Sequence, residues 1–113
     1  FYHGSFYDVK RSNEGNMIAV GLRGNIYRSE KNGITWDHVA SDTTALLNQL
    51  VITNTGQVFA IGNNGVLLES NDDGVSFSKS VQEDGKGLLS AVVFNNALVI
   101  ASEVGIKVLK VVK

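Results

Sequence analysis

Few side chains in this 113-residue chain are equipped for chemistry, and their spacing decides which reactions are open to them. There is no cysteine, so thiol catalysis, disulfide frameworks and cysteine-based zinc sites are excluded. His3 and His38 stand alone, without partners at metal-ligand spacing, and read as surface or packing residues. Asn71-Asp72-Asp73 offers a few oxygens to a calcium ion, which takes about six to eight. No further acid lies close in sequence, so these residues are expected to shape a turn, and no metal or other cofactor is expected. Gly85-Lys86-Gly87 lacks both the spacing and the Ser or Thr of a phosphate loop. The three arginines, Arg11, Arg23 and Arg28, lie within one stretch of the chain, and Tyr27 alternates with apolar neighbours as a packed residue would.

Composition narrows the partners. Ten basic against 11 acidic residues give a net charge of −1, which makes no case for nucleic acid or anionic lipid. With 43% hydrophobic residues and mean hydropathy +0.05 the chain is rich enough in apolar groups for a folded core. Its apolar runs, such as Ala97–Ala101 and Ala91–Phe94, fall far short of the roughly 18 residues of a membrane helix. No membrane insertion is expected.

The elements that position these residues recur. Shifting the chain by 41 positions superposes Asn13 on Asn54, Gly15 on Gly56, Ala19 on Ala60 and Gly21 on Gly62. Gly24, Ser29 and Gly33 fall on Gly65, Ser70 and Gly74, which makes 7 identities in the 24 positions from Asn13 to Trp36. Average composition would give roughly one or two. A third copy follows 40 positions later, with Gly65 on Gly105 and Lys110 at the place of Ser70. The units run about 1–46, 47–87 and 88–113, with net charges of 0, −3 and +2.

Each unit is a series of short apolar runs bounded by Gly and Asn, the pattern of strands joined by tight turns. The first reads Tyr7–Arg11, Met17–Gly21, Asn25–Ser29 and Thr35–Val39; the second reads Gln49–Thr53, Val58–Gly62, Val66–Ser70 and Ser76–Ser80. The third supplies Ser90–Phe94, Leu98–Ser102 and Ile106–Val111. Thr43–Leu50 is a weak helical candidate that reads better as a loop entering a strand. Four antiparallel strands about every 41 residues predict an all-β fold, a partial β-propeller of two complete four-stranded blades plus three strands of a third. The second strands are the most continuously apolar, and their small residues suggest crowding toward the central axis. Propellers close with about four to eight blades, so an arc of this size exposes apolar faces at both ends. Either the chain is a fragment of a longer propeller or copies of it self-associate; the absence of an initiator Met before Phe1 and the incomplete third unit favour the fragment.

The hairpins between third and fourth strands carry Ser-x-Asp-x-Gly-x-x-aromatic. The second copy is Ser70, Asp72, Gly74 and Phe77; the first has Ser29, Gly33 and Trp36, but Lys31 where Asp is expected, which leaves its carboxylate-to-backbone bond unfilled. Gly33 and Gly74 are expected at positive φ, where Val would destabilise the turn. The motif resembles the Asp box of the bacterial neuraminidase repeat. The wider pattern, Gly21 to Ser29 and Gly62 to Ser70, resembles the photosystem II stability/assembly factor family and its non-photosynthetic relatives. That resemblance implies an exported or periplasmic, non-enzymatic propeller that binds a protein client, for instance as an assembly or stability factor for an envelope or membrane complex. Arg23 and its equivalent Asn64 are then candidate client-binding residues on one rim. The alternative resemblance, a sialidase-like or other glycan-acting propeller, implies an arginine cluster, a Tyr activated by Glu and an acidic proton donor.

Overall fold

The computed structural model describes residues 4–30 and 32–111. His3 and Lys31 lie outside them. Every apolar run becomes a strand. The first sheet contains β1 (Phe6–Arg11), β2 (Met17–Gly21), β3 (Ile26–Ser29) and β4 (Asp37–Val39), in that spatial order. The second contains β5 (Leu47–Ile52), β6 (Val58–Gly62), β7 (Val66–Ser70) and β8 (Ser78–Val81). The third has β9 (Leu88–Phe94), β10 (Ala97–Ser102) and β11 (Gly105–Lys110). Each is an antiparallel meander, so neighbours in sequence are neighbours in space. The weak helical candidate Thr43–Leu50 is a loop as far as Leu46, and Leu47–Leu50 already belong to β5.

The pleat explains why the middle sheet is the most apolar. Alternate residues of a strand point to opposite faces. On one face of the second sheet Leu50, Val58, Ala60 and Leu68 pack against Ile18, Val20 and Ile26 of the first. On the other, Val51, Phe59, Ile61 and Leu67 pack against Leu88, Leu98 and Ile100 of the third. All five residues of β6 are buried, as a strand covered on both faces must be. These residues alternate between two different cores.

The sheets approach most closely through β1, β5 and β9, with β2 against β5 and β6 against β9. The first strands therefore form the inner edge of the fan, not the second strands as their small residues suggested. The glycines serve a different contact. A Cβ on Gly21 would lie 2.1 Å from the Ser5 carbonyl oxygen, and one on Gly62 2.0 Å from that of Leu46. Both face a register shift where the first strand enters its sheet, between Phe6 and Asp8 and between Leu47 and Gln49. Gly62 is extended (φ −164), so the requirement is space for the neighbouring backbone.

Register corrects one alignment. Met17 pairs Ser29 and Val58 pairs Ser70, but Leu98 pairs Leu109. In the third sheet Ser102 pairs Gly105 across a turn of Glu103 and Val104, one residue shorter than the turns closed by Gly24 and Gly65. The lost residue slides β11 by one, and Leu109 rather than Lys110 occupies the place of Ser70.

Candidate functional site

The Ser70–Phe77 loop is built by its own short polar side chains. Ser70 Oγ accepts the Gly74 N–H at 2.9 Å and donates to Asp72 Oδ1 at 2.7 Å. Asp72 Oδ1 accepts the Ser76 N–H at 2.9 Å, and Oδ2 accepts the Ser76 hydroxyl. Burial alone would raise the Asp72 carboxyl, but the Ser76 and Ser70 hydrogen bonds outweigh it and hold the group below the usual carboxylate range. Gly74 sits at φ +84 and Gly33 at φ +69, the left-handed region that a side chain disfavours. Phe77 packs at the edge of the first core.

The Ser29–Trp36 loop reaches the same end by a substitution hidden in the sequence. Ser29 Oγ again accepts the glycine N–H, here Gly33 at 2.9 Å. Asn32 Oδ1, one position beyond Lys31, takes the hydroxyl of Ser29 at 3.0 Å and the Ile34 N–H at 2.9 Å. The short carbonyl of Asn32 thus does the work of the Asp72 carboxylate. Trp36 closes the loop, its indole Nε1–H donating to the Gly33 carbonyl at 2.8 Å. Asn32→Ala should cost about 1 kcal/mol, in the range of lost side-chain caps, whereas Asn32→Asp should leave the thermal midpoint nearly unchanged. Equal midpoints for the wild type and Asn32→Ala would contradict this role.

Asp73 leaves its own loop to fasten the second sheet to the first. Its Oδ2 accepts Asn16 Nδ2 at 2.6 Å and Arg28 NH2 at 3.0 Å, and its carbonyl accepts Arg28 Nε at 2.9 Å. Burial would raise this carboxyl, but hydrogen bonds from Asn16, Ser12 and Arg28 win and hold it below the usual range. Both carboxylates are thus engaged by protein donors. In the second sheet Glu69 stands where Arg28 stands in the first, and it accepts Gln57 Nε2 within its own sheet at 3.0 Å. Position-by-position repeat matching missed the Arg28–Asp73 bridge because its partners occupy different sites of different units.

The opposite rim carries the candidate binding surface. Arg23 lies in the Leu22–Gly24 turn at φ 56, and Asn64 takes the same conformation (φ 60) in Asn63–Gly65. The first turn is pressed onto the segment leaving β4: a Cβ on Gly24 would lie 2.0 Å from the Thr43 carbonyl oxygen. This contact places Arg23 over a cleft of about 630 Å³ between the first two sheets, which His38, Ser41, Asp42, Thr43 and Lys79 also line. Lys79 Nζ is anchored on the Asp42 carbonyl at 2.7 Å. The exposed Arg23 guanidinium has no hydrogen-bond or ion-pair partner among the described residues. Asn64 occupies the equivalent rim position one sheet on and does not line this cleft. The arginines are not gathered as the glycosidase resemblance implies. Arg28 is tied to Asp73 and Glu30 at the other end of the sheet, and Tyr27 packs edge-on between Phe6 and His38.

Three meandering sheets fanning from their first strands define an arc of a β-propeller. No protein-family profile matches the sequence, and no curated protein matches it. Among the solved structures that share the fold are two of YCF48. YCF48 from Cyanidioschyzon merolae, a β-propeller, superposes with a TM-score of 0.77 at 21% identity, covering 93% of this chain and 34% of its own. YCF48 bound to D1 peptide superposes with a TM-score of 0.58 at 15% identity, covering 89% of this chain and 33% of its own. The chain therefore spans about a third of the length of each. The likeness agrees with the resemblance read from the sequence, and at this identity it is a likeness of fold.

Proposed function

We propose that the chain is part of a non-enzymatic β-propeller that binds a protein client, and that the client docks on the rim at Arg23. The observation that carries this reading is the unpartnered Arg23 guanidinium at a cleft that His38 and Lys79 also line, where Lys79 is already paired with Asp42 and Arg23 is left to receive a client. Such a site attracts a carboxylate, which an Arg receives in a two-pronged hydrogen bond. That YCF48 has been solved with a D1 peptide supports a peptide-binding role for the fold. The family resemblance adds an exported location. Among the described residues no helix is long and apolar enough to cross a membrane.

Client capture by the wild-type protein and by Arg23→Glu tests the proposal. The charge reversal should weaken the complex by at least tenfold while leaving the thermal midpoint within a degree or two, because exposed substitutions change stability by about 0.5 kcal/mol or less. Undiminished capture would remove Arg23 from the interface.

A further inference from the structure

The two Asn-Gly pairs of the sequence, Asn32-Gly33 and Asn64-Gly65, are held in very different ways. In such a pair the glycine nitrogen can attack the asparagine side-chain amide, since no Cβ blocks the approach and the backbone turns freely. Exposure does not separate the two pairs, because both asparagines are exposed. Bonding does.

Both reacting groups of the first pair are in use. Asn32 Oδ1 takes the Ser29 hydroxyl at 3.0 Å and the Ile34 N–H at 2.9 Å, while the Gly33 N–H donates to Ser29 Oγ at 2.9 Å. The Gly33 carbonyl also receives the Trp36 indole at 2.8 Å. The Asn64 side chain, by contrast, makes no hydrogen bond or ion pair among the described residues. Beyond its own turn Gly65 is held by its carbonyl, which accepts the Gln82 N–H at 2.9 Å. Ring closure needs rotation about the Asn64 Cα–C bond out of ψ 24. Asn64 starts from the left-handed region (φ 60), which a side chain disfavours, so leaving it recovers part of the cost of opening. The matching motion at Asn32 must break every bond named above for that loop.

We propose that Asn64 is a site of spontaneous deamidation in the folded protein and that the Ser29–Trp36 loop protects Asn32 from the same reaction. The Gly65 nitrogen attacks Asn64 Cγ, the Cγ–Nδ2 bond breaks, and the proton lost by Gly65 leaves with Nδ2 as ammonia. Water then opens the imide ring at either carbonyl, leaving aspartate or isoaspartate at position 64. No oxidant or reductant takes part. The product adds a negative charge to the second unit, already at −3, on the rim that also carries Arg23. The turn belongs to the middle sheet, whose two faces are both covered within the chain. The inference does not depend on the client reading.

The purified protein, incubated at mildly alkaline pH, tests it by peptide mapping, with fragmentation that locates the amide-to-acid mass gain at each asparagine. Asn64 should convert faster than Asn32 by about tenfold or more, as several additional hydrogen bonds at Asn32 require. In concentrated urea the two should convert at similar rates, because each is then an Asn-Gly pair without a fold around it. Equal rates in the folded protein, or faster conversion of Asn32, overturn the proposal. So does a folded protein in which neither site changes while both react in urea. A preference for Asn64 that persists unchanged in urea also overturns it, since the contrast would then come from sequence neighbours and not from the loop.

Discussion

Gly62→Ala should destabilise the protein by about 4 kcal/mol or more, the range of severe overpacking and lost structure. The residue is extended, and its side-chain position lies 2.0 Å from the Leu46 carbonyl oxygen, which belongs to the backbone and has no rotamer to escape into. Relief requires moving the entry of β5, and with it Leu47 and Leu50 at the centre of the first core. Gly85→Ala is the control. Gly85 has positive φ (+64) but nothing within 4 Å of a Cβ, so only the conformational cost of about 1–2 kcal/mol applies. Chemical denaturation of both variants checks the contrast; equal losses would contradict the close approach at Gly62.

Asp73→Ala should cost about 3 kcal/mol, because it leaves the Arg28 guanidinium, 12% exposed, with only the outlying Glu30 as a counter-ion. Replacing both partners, Arg28→Met with Asp73→Leu, should recover much of that loss. Leaving one charge buried is worse than burying none. The same bridge sets a pH dependence. Asp73 titrates lower in the folded protein than in the unfolded chain, so its contribution is present above the ordinary Asp value of about 3.9 and is lost as pH falls through the folded value. Acid titration of stability should therefore be flatter below pH ~4 in Asp73→Asn than in the wild type. Parallel acid profiles would show that the carboxylate contributes nothing to holding the sheets together.

Much of the architecture was legible because each unit repeats its punctuation. Gly15 and Gly56, Gly24 and Gly65, and Gly33 and Gly74 mark the same turns one unit apart, and the runs between them are too short and too apolar for helices. What escaped was whatever broke the strict period. Lys110 aligns with Ser70 by counting, but a turn one residue shorter puts Leu109 there. Asn32 replaces the Asp72 carboxylate from the adjacent position, so a motif read by fixed spacing finds only Lys31 and a gap. The Arg28–Asp73 bridge spans 45 residues and joins a strand of the first sheet to a loop of the second. The rim position of Arg23 followed from its place after the second strand. The cleft beside it did not, because that depends on where the linker through Asp42 and Thr43 folds back onto Gly24.

The central claim is that consecutive sheets stack face to face, with the Asp73–Gly74 loop of the second seated on the first. Proton NMR contacts of the Ile18 δ1 methyl test this most directly, since a Cβ on Gly74 would lie 2.6 Å from that methyl carbon although the residues are in different sheets. A strong cross-peak between the Ile18 δ1 methyl and the Gly74 α protons is the predicted result, with none between Ile18 and Ile100, which belong to separate cores. Absence of the first peak, or appearance of the second, would contradict the stacked arc.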